Sequence, residues 1–239
     1  FLGSSIGFSQ TNSLVINEFM ADNISTLQDV NDEYSDWIEI YNGTNSVVNL
    51  EGYFLSDDIQ DSEQWAFPDI EIQPNGFLIV FASGNNRIEN ELHTNFKLSK
   101  DGEFLALYNE SGAYIDSIRF ESQFSNISYG RNPEQTSDWL FFPNPTPDTE
   151  NQNDGRRYAD SPMFSKSGGF YENTQSVYLS TYDPEDLIYY TLDGTTPTQN
   201  SSLFNEIPIE LSSTTAIRAF TYNASKVSSA VVTHTFFID

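Results

Sequence analysis

Cysteine is absent from this chain of 239 residues, and its absence excludes several kinds of chemistry at once. No disulfide can form, no thiolate can act as a nucleophile, and no zinc site can be built from sulfur ligands. An exported protein without disulfides must obtain its stability from packing or from bound metals. Aromatic residues make up 15% of the chain, which is high for a disordered segment, so we expect packed cores.

Basic residues are scarce as well. Lys and Arg number 10 against 35 Asp and Glu, which gives a formal net charge of −25. Such a charge repels nucleic acids and anionic membrane surfaces, so neither is an expected partner. The imbalance is greatest in residues 1–150, which hold 25 acidic and 5 basic residues, whereas residues 151–239 hold 10 and 5. Two explanations stay open, a solvated acidic surface that keeps the protein soluble and carboxylates that converge on Ca²⁺.

Hydrophobic runs long enough to span a bilayer are also lacking, so no transmembrane segment is predicted. The first ten residues, FLGSSIGFSQ, are apolar and small, and they resemble the end of a secretory signal peptide. Residues 1–11 are therefore predicted to be a signal-peptide remnant or an N-terminal extension, with a short first strand as the alternative. We expect an exported protein that is secreted or held at the bacterial cell surface, on the exterior of the outer membrane. Only two histidines, His93 and His234, occur, and their separation offers little toward a zinc site.

Short apolar runs bounded by turn residues recur at a spacing of roughly ten residues, which predicts an all-β fold. Phe77–Ala82 is a continuous apolar run of strand length, and we expect it to be buried on both faces. The pattern is interrupted at residues 142–162, which are rich in Pro, Asn and Asp. We therefore predict two β-sandwich domains, at residues 12–151 and 162–239, joined by a linker at residues 152–161.

An acidic loop stands directly in front of one of the clearest strands. Its oxygen donors are Asp29, Asn31, Asp32, Glu33 and Asp36. Ca²⁺ takes six to eight oxygen ligands, so this loop is a candidate calcium site, although it lacks the central glycine and distal glutamate of an EF-hand. A second and weaker candidate loop contains Asp57, Asp58 and Asp61. The alternative for both loops is that these are solvated turn residues.

The strand after the first acidic loop, residues 37–41, alternates in the manner of a half-buried strand. Ile38 and Ile40 fall on one face, and Trp37 and Tyr41 fall on the other. If that second face is exposed, the two rings are candidates for stacking on a sugar or on a protein. The alternative is that a loop covers this face.

Several segments of the first domain resemble the bacterial lamin-tail domain, which is an immunoglobulin-like sandwich. The matching segments are INEFMADN (16–23), DEYSDWIEIYN (32–42), GYFLSDD (52–58), WAFPDIEIQPNGFLIVFASG (65–84), LHTNFKLSKDGEFLALYNESG (92–112), SYGRNP (128–133) and PTPDTEN (145–151). They follow the order of the family and cover residues 14–151. The resemblance implies the same sandwich fold in this chain.

Three segments near the C-terminal end resemble the small sandwich that follows the catalytic part of chitobiases and β-hexosaminidases. They are PMFSKSGGFY (162–171), IYYTLDGTTPT (188–198) and AIRAF (216–220). In those enzymes this domain is an accessory that carries no catalytic acid, so the resemblance implies a fibronectin- or immunoglobulin-like sandwich without activity of its own. Modules of this pairing often open long secreted or cell-surface chains, and we expect this chain to be part of such a protein.

These observations favour a non-catalytic adhesion or assembly module that binds another cell-surface or secreted protein. A carbohydrate-binding accessory module of a larger secreted enzyme, with a polysaccharide as its partner, is the alternative. A hydrolase that uses two carboxylates is a third and weaker hypothesis, because no region predicts a barrel or a deep cleft. Apart from Ca²⁺, no cofactor is expected.

Overall fold

The computed structural model describes residues 13–239. All regular secondary structure assigned within these residues is β-strand. The extension predicted at residues 1–11 lies outside the described residues. The chain divides into two compact units between Gly155 and Arg156, which is within the interval assigned to a linker. In the described part of the chain, no helix is long and apolar enough to cross a membrane.

The first unit is a sandwich of two antiparallel sheets. Its strands are β1 (Leu14–Met20), β2 (Asp36–Asn42), β3 (Val48–Asn49), β4 (Phe54–Ser56), β5 (Trp65–Ala66), β6 (Glu71–Ile72), β7 (Phe77–Ala82), β8 (Leu92–His93), β9 (Glu103–Tyr108), β10 (Tyr114–Phe120), β11 (Ser128–Asn132) and β12 (Gln135–Phe142). The larger sheet has the order β12-β11-β1-β2-β7-β8 and the smaller one β10-β9-β4-β5, with β3 and β6 paired beside them. Among these pairs only β7 and β8 run parallel. Alternate apolar residues of both sheets, such as Ile38 and Leu105, meet in the core.

A β-bulge in β1 decides which of its side chains enter that core. The register between β1 and β2 shifts between Ile16 and Glu18, so Asn17 has no direct partner. Ile16 and Phe19 therefore both face the core although they are three positions apart. Glu18 turns to the opposite face, where it lies across from Glu39 of β2.

The strand β7 is less buried than the sequence predicts. Val80, Phe81 and Ala82 are buried, but the first three residues of the strand are only half-buried. The reason is that β8 pairs with β7 only at Val80 and Phe81, so the beginning of β7 has no neighbour on that side.

The second unit is a smaller sandwich. Its strands are β13 (Met163–Phe164), β14 (Gly169–Tyr171), β15 (Gln175–Val177), β16 (Leu179–Ser180), β17 (Leu187–Thr191), β18 (Ser202–Leu203), β19 (Ile209–Leu211), β20 (Thr215–Tyr222) and β21 (Val232–Ile238). Five of them form a sheet in the order β14-β21-β20-β17-β18, and two short ladders, β13-β16 and β15-β19, complete the unit. Its core contains Val177, Ile217 and Phe236. The predicted all-β fold with two sandwich domains is thus confirmed.

Candidate functional site

The strand β2 is buried on both faces, so of the two alternatives for Trp37 and Tyr41 the structure has the covered face and not the exposed one. The side chain of Trp37 is 0% exposed and packs beside Phe81. Tyr41 is 8% exposed, its ring lies 4.8 Å from that of Phe77, and its hydroxyl donates to Oδ1 of Asn75. Loops cover this face of the sheet, so neither ring presents a stacking surface for a sugar.

The same face of the sheet carries a closely covered pair of carboxyl groups. Glu18 and Glu39 lie opposite each other on β1 and β2, and both are 0% exposed. The side-chain amide of Asn17 donates to Oε1 of Glu39 at 2.7 Å, and the backbone N–H of Asp148 donates to Oε2 at 2.5 Å. The hydroxyl of Thr146 donates to Oε2 of Glu18 at 2.9 Å. Each carboxyl group is therefore held by hydrogen bonds rather than by water.

Residues 145–151 form the cover of this pair, and the glycine of β11 makes room for it. Oδ1 of Asn151 accepts from the amide of Asn17 at 2.9 Å, and its Nδ2 donates to the carbonyl of Arg131 at 2.7 Å. A Cβ atom on Gly130 would stand 2.7 Å from Nδ2 of Asn151 and 3.1 Å from Cγ of Glu18. Only glycine leaves enough space for the cover at this position.

Burial raises the pKa of Glu39 to about 8, and the charge of the neighbouring Glu18 adds to this effect. Burial likewise raises the pKa of Glu18, against the hydrogen bonds from Ser128 and Thr146 that lower it. Paired carboxyl groups with separated pKa values are typical of glycosidases, but those groups must reach the substrate. Glu18 and Glu39 are sealed beneath the cover, so their observed role is structural.

The first predicted calcium loop does not converge as expected. Oδ1 of Asp29 accepts the backbone N–H groups of Asn31 and Glu33 at 2.8 and 3.0 Å. Its Oδ2 faces Arg87, at 3.3 Å from a guanidinium nitrogen. Asp29 is thus a buried turn-forming carboxylate, with one oxygen bonded to the backbone of its own loop and the other beside Arg87.

The other members of that set are separate from Asp29. Asn31, Asp32 and Glu33 are exposed. Asp36 accepts the backbone N–H of Asn23 at 3.2 Å, and burial raises the pKa of Asp36 to about 6. Within residues 13–239, three side chains that could ligate a metal bring their donor atoms within 4.8 Å of one another. Asp29 is the one member of the first acidic loop among these three.

The second acidic loop is occupied with its own backbone and side chains. Oδ1 of Asp57 accepts from the side-chain amide of Gln64 at 2.7 Å. Asp58 and Asp61 each accept the backbone N–H of the residue two positions further on. These contacts are typical of turns, and calcium binding at either loop stays a prediction.

The group that does meet consists of Asp29, Glu91 and His93, with Arg87 among them. Nε2 of His93 lies 3.7 Å from Oδ2 of Asp29 and 3.9 Å from Oε2 of Glu91. A guanidinium nitrogen of Arg87 lies 3.3 and 3.6 Å from those two oxygens and also contacts Nε2 of His93. The sequence did not single out Glu91 or Arg87, because the loops that carry them meet Asp29 only in the folded chain.

Contacts with neighbouring groups fix the orientation of each member of this cluster. Nδ1 of His93 is hydrogen-bonded to Oγ of Ser83 at 2.9 Å, and the imidazole stacks on Phe81 with ring centroids 5.1 Å apart. The backbone N–H of Val30 donates to Oε2 of Glu91 at 2.8 Å. Burial lowers the pKa of His93, and the charge of Arg87 lowers it further, which favours the neutral ring.

A groove with a volume of about 350 Å³ adjoins this cluster. Leu78 and Ile79 of β7 form part of its wall, and Ile88, Asn90 and Glu91 of the loop before β8 form another part. Because Glu91 belongs to both the groove and the cluster, a ligand in the groove would lie beside the charged side chains.

The second unit offers a different kind of surface. The residues of its five-stranded sheet that point away from the core carry large apolar side chains. This outer face comprises Phe170, Leu187, Tyr189, Leu203, Phe220, Tyr222 and Phe237, of which Phe220 is itself buried at 7% exposure. Directly opposed residues confirm the shared face, since Tyr189 pairs with Leu203 on one side and with Phe220 on the other. Core residues such as Ile188 and Ala219 occupy the alternate positions.

The outer face has two apolar regions. The rings of Phe170 and Phe237 stack with centroids 4.7 Å apart, on neighbouring strands at one edge. Tyr189 stacks with Phe220 at 5.8 Å and meets Tyr222 edge-on at 6.3 Å. This arrangement can bind a partner by contact and desolvation, but it brings no acid, base or nucleophile together.

Comparison with known proteins gives one short sequence match and one remote structural likeness. A stretch of 43 residues is 44% identical to an endoglucanase of Clostridium saccharobutylicum, and it covers 18% of this chain and 10% of that protein. The structural likeness is to the sialic acid binding region of a Streptococcus sanguinis adhesin. The superposition covers 97% of this chain and 78% of the adhesin chain, with 9% sequence identity and a TM-score of 0.22. A TM-score this low carries no argument about function.

Family profiles match both units, in the order expected from the sequence motifs. The profile of the Lamin Tail Domain matches residues 8–122. The profile of the Chitobiase/beta-hexosaminidase C-terminal domain matches residues 166–233. Both are immunoglobulin-like domains of accessory type, in keeping with the two sandwiches described above. The chain therefore matches a lamin tail domain over residues 8–122 and a chitobiase/beta-hexosaminidase C-terminal domain over residues 166–233, in that order.

Proposed function

We propose that this chain is a non-catalytic adhesion or assembly module of an exported bacterial protein, and that it binds another secreted or cell-surface protein through the outer face of its second unit. The observation that carries this proposal is the exposure of large apolar side chains on a single sheet face. Phe170 is 85% exposed, Leu203 is 47% exposed, and Leu187 and Phe237 are each 42% exposed. Exposed apolar surface of this kind, here in two regions of one face, marks interaction sites on soluble proteins.

The composition of the outer face favours a protein as the partner. Cores of protein interfaces are enriched in aromatic residues and Arg and are depleted in acidic residues. The outer face follows that pattern in a chain of net charge −25, because Arg218 is the charged residue on its middle strand between Phe220 and Ala216. The exposed leucines Leu187 and Leu203 add branched apolar surface, which suits a protein side chain better than a sugar ring.

A polysaccharide is the second candidate, and a specific observation supports it. Tyr189 and Tyr222 carry hydroxyl groups beside their rings, and Thr191 and Thr233 flank Arg218 in the middle of the same face. These groups offer hydrogen bonds to sugar hydroxyls next to a ring that a sugar can stack on. The match to an endoglucanase, an enzyme named for action on a glucan, is compatible with an accessory role of this kind.

Mild cross-linking on intact cells of the native host, followed by affinity purification and mass spectrometry, tests the proposal. The chain is compared with two variants of the outer face, Phe170→Ser and Leu203→Ser. Ile207→Ser serves as the matched control, because Ile207 is 66% exposed but belongs to no strand of the sheet.

We expect the unchanged chain and Ile207→Ser to capture one defined protein. Both outer-face variants should capture at least tenfold less of it. Polysaccharide that co-purifies in place of a protein, with the same variant pattern, would establish the second candidate. Capture that both outer-face variants retain would show that binding occurs elsewhere and would refute the proposal.

A further inference from the structure

The cluster around Arg87 in the first unit has the chemistry of a metal site that is independent of the outer face. It contains an imidazole and two carboxylates whose donor atoms lie within 4.8 Å of one another. We propose that Asp29, Glu91 and His93 bind a divalent transition metal, with zinc as the representative ion, and that Arg87 is the charge that the metal displaces. The sequence offered little toward a zinc site because only histidine and cysteine were considered as ligands, but zinc also accepts carboxylate oxygens.

The distances between the donor atoms fit a small tetrahedral ion. Ligand bonds of about 2.1 Å place neighbouring donors roughly 3.4 Å apart in a tetrahedral shell. The observed separations from Nε2 of His93 are 3.7 Å to Asp29 and 3.9 Å to Glu91, so these two need a contraction of up to about half an ångström, and the two carboxylate oxygens lie within 4.8 Å of each other. Three protein ligands leave the fourth position for water.

The donor atoms are also held ready by the groups behind them. Two backbone N–H groups occupy Oδ1 of Asp29 and leave Oδ2 toward the cluster. Ser83 holds Nδ1 of His93, which leaves Nε2 as the ligand atom. Hydrogen bonds of this kind orient ligands and raise metal affinity in known sites.

Arg87 is the competitor, and its own contacts are incomplete. Its Nε is buried and has no hydrogen-bond partner, and its side chain is 26% exposed. The backbones of Arg87 and His93 pair with each other, so the side chain can swing outward while the loop stays in place. A bound metal would then connect the loop before β2 to the loop before β8, across some 60 residues of sequence.

A nitrogen ligand distinguishes this proposal from a calcium site. Ca²⁺ takes six to eight oxygen ligands, whereas imidazole suits zinc and its neighbours in the first transition row. The net charge of −25 attracts any divalent cation to the surface, so weak binding alone would mean little. The test must therefore report on His93 itself.

Titration of the whole chain with Zn²⁺, followed by nuclear magnetic resonance of the imidazole nitrogens, provides that report. The chain has two histidines, and His234 of the second unit is an internal control. We expect saturable binding of one zinc, a large shift of Nε2 of His93, an unchanged His234, and no displacement by excess Ca²⁺. Displacement by Ca²⁺ would overturn the assignment of a nitrogen ligand.

Two variants in the cluster are expected to act in opposite directions. Glu91→Gln removes a ligand charge and should weaken zinc binding at least tenfold, whereas Arg87→Gln removes the competing cation and should strengthen it several-fold. Asp61→Asn is the control for surface charge and should change nothing. An unmoved His93 signal at saturating zinc, or equal affinity of all variants, would show that the cluster is only an ion-pair network. Tryptophan fluorescence verifies folding, because all three tryptophans lie in the first unit.

Discussion

Replacement of Glu39 by glutamine should flatten the pH dependence of the stability of the first unit. Burial raises the pKa of Glu39 from an ordinary value of 4.5 to about 8. A carboxyl group whose pKa is raised in the folded state binds its proton more tightly there than in the unfolded chain. The stability that Glu39 contributes is therefore fully present below about pH 4.5 and is lost as the pH rises to about 8. Glutamine has no proton to lose in this range and removes that contribution.

The size of the effect follows from the linkage of folding to protonation. One proton that only the folded state retains lowers the free energy of unfolding by about 1.4 kcal/mol per pH unit. Between pH 5 and pH 8 this amounts to roughly 3 kcal/mol, a large part of the stability of an ordinary domain. In Glu39→Gln the new side-chain amide has a single oxygen, so it can accept a hydrogen bond from Asn17 or from Asp148 but not from both. The hydrogen bond that is lost costs about 1 kcal/mol of stability.

The two stability curves should therefore cross. Glu39→Gln should be less stable than the unchanged chain at pH 5 and more stable at pH 8. Urea denaturation at half-unit pH steps, followed by tryptophan fluorescence, measures this in the intact chain. Trp37, Trp65 and Trp139 all belong to the first unit, so the signal excludes unfolding of the second unit.

Glu103→Gln provides a control whose effect falls in a different pH range. Burial raises the pKa of Glu103 to about 7, so its replacement should flatten the curve only below that pH. Parallel curves for Glu39→Gln and the unchanged chain between pH 6 and pH 8 would refute the reasoning. That result would mean that water reaches Glu39 beneath its cover and that its charge is solvated in the folded state.

Two further predictions concern packing and buried charge. Gly130→Ala should destabilise the first unit by about 1–3 kcal/mol, because its Cβ would press on Asn151 and Glu18, and tryptophan fluorescence during denaturation measures the loss. Lys226→Met should lower the melting temperature of the second unit by roughly 5 °C, because it removes the positive partner of the buried Asp186. Far-ultraviolet circular dichroism follows the transition, and an unchanged melting temperature would show that Asn223 and Thr181 satisfy this carboxylate without the lysine.

Most strands of the first unit were predictable because short alternating runs and turn residues are local signals. The bulge in β1 was not predicted, although the sequence contains a trace of it. Ile16 and Phe19 both enter the core at a spacing of three, which a regular strand does not allow. Recognising this spacing would have placed Glu18 on the same face as Glu39.

The coverage of β2 could not be read from its own residues. An alternation of apolar and mixed side chains is typical of a half-buried strand, and Glu39 in its centre strengthens that interpretation. Over Glu39 the cover consists of residues 145–151, which are more than 100 positions away in the sequence, whereas Trp37 lies against residues such as Leu27 and Phe81. Local patterns carry no information about such a return of the chain, so an exposed face and a covered face at Trp37 and Tyr41 both stayed open in the sequence.

Part of the acidic composition has a structural role that is separate from solubility and from calcium binding. Several carboxylates accept hydrogen bonds across long stretches of sequence: Glu18 from Thr146 over 128 residues, Glu39 from Asp148 over 109, and Asp116 from the backbone of Ile16 over 100. A well-formed hydrogen bond contributes about 0.5–1.5 kcal/mol when the carboxyl group is neutral and about 1.5–3 kcal/mol when it is charged. In a chain without cysteine, these carboxyl groups connect distant segments, which disulfides do in many exported proteins. The connections differ from disulfides in one respect, because a carboxylate responds to pH, and the stability of the first unit is thereby tied to the protonation of its buried acids.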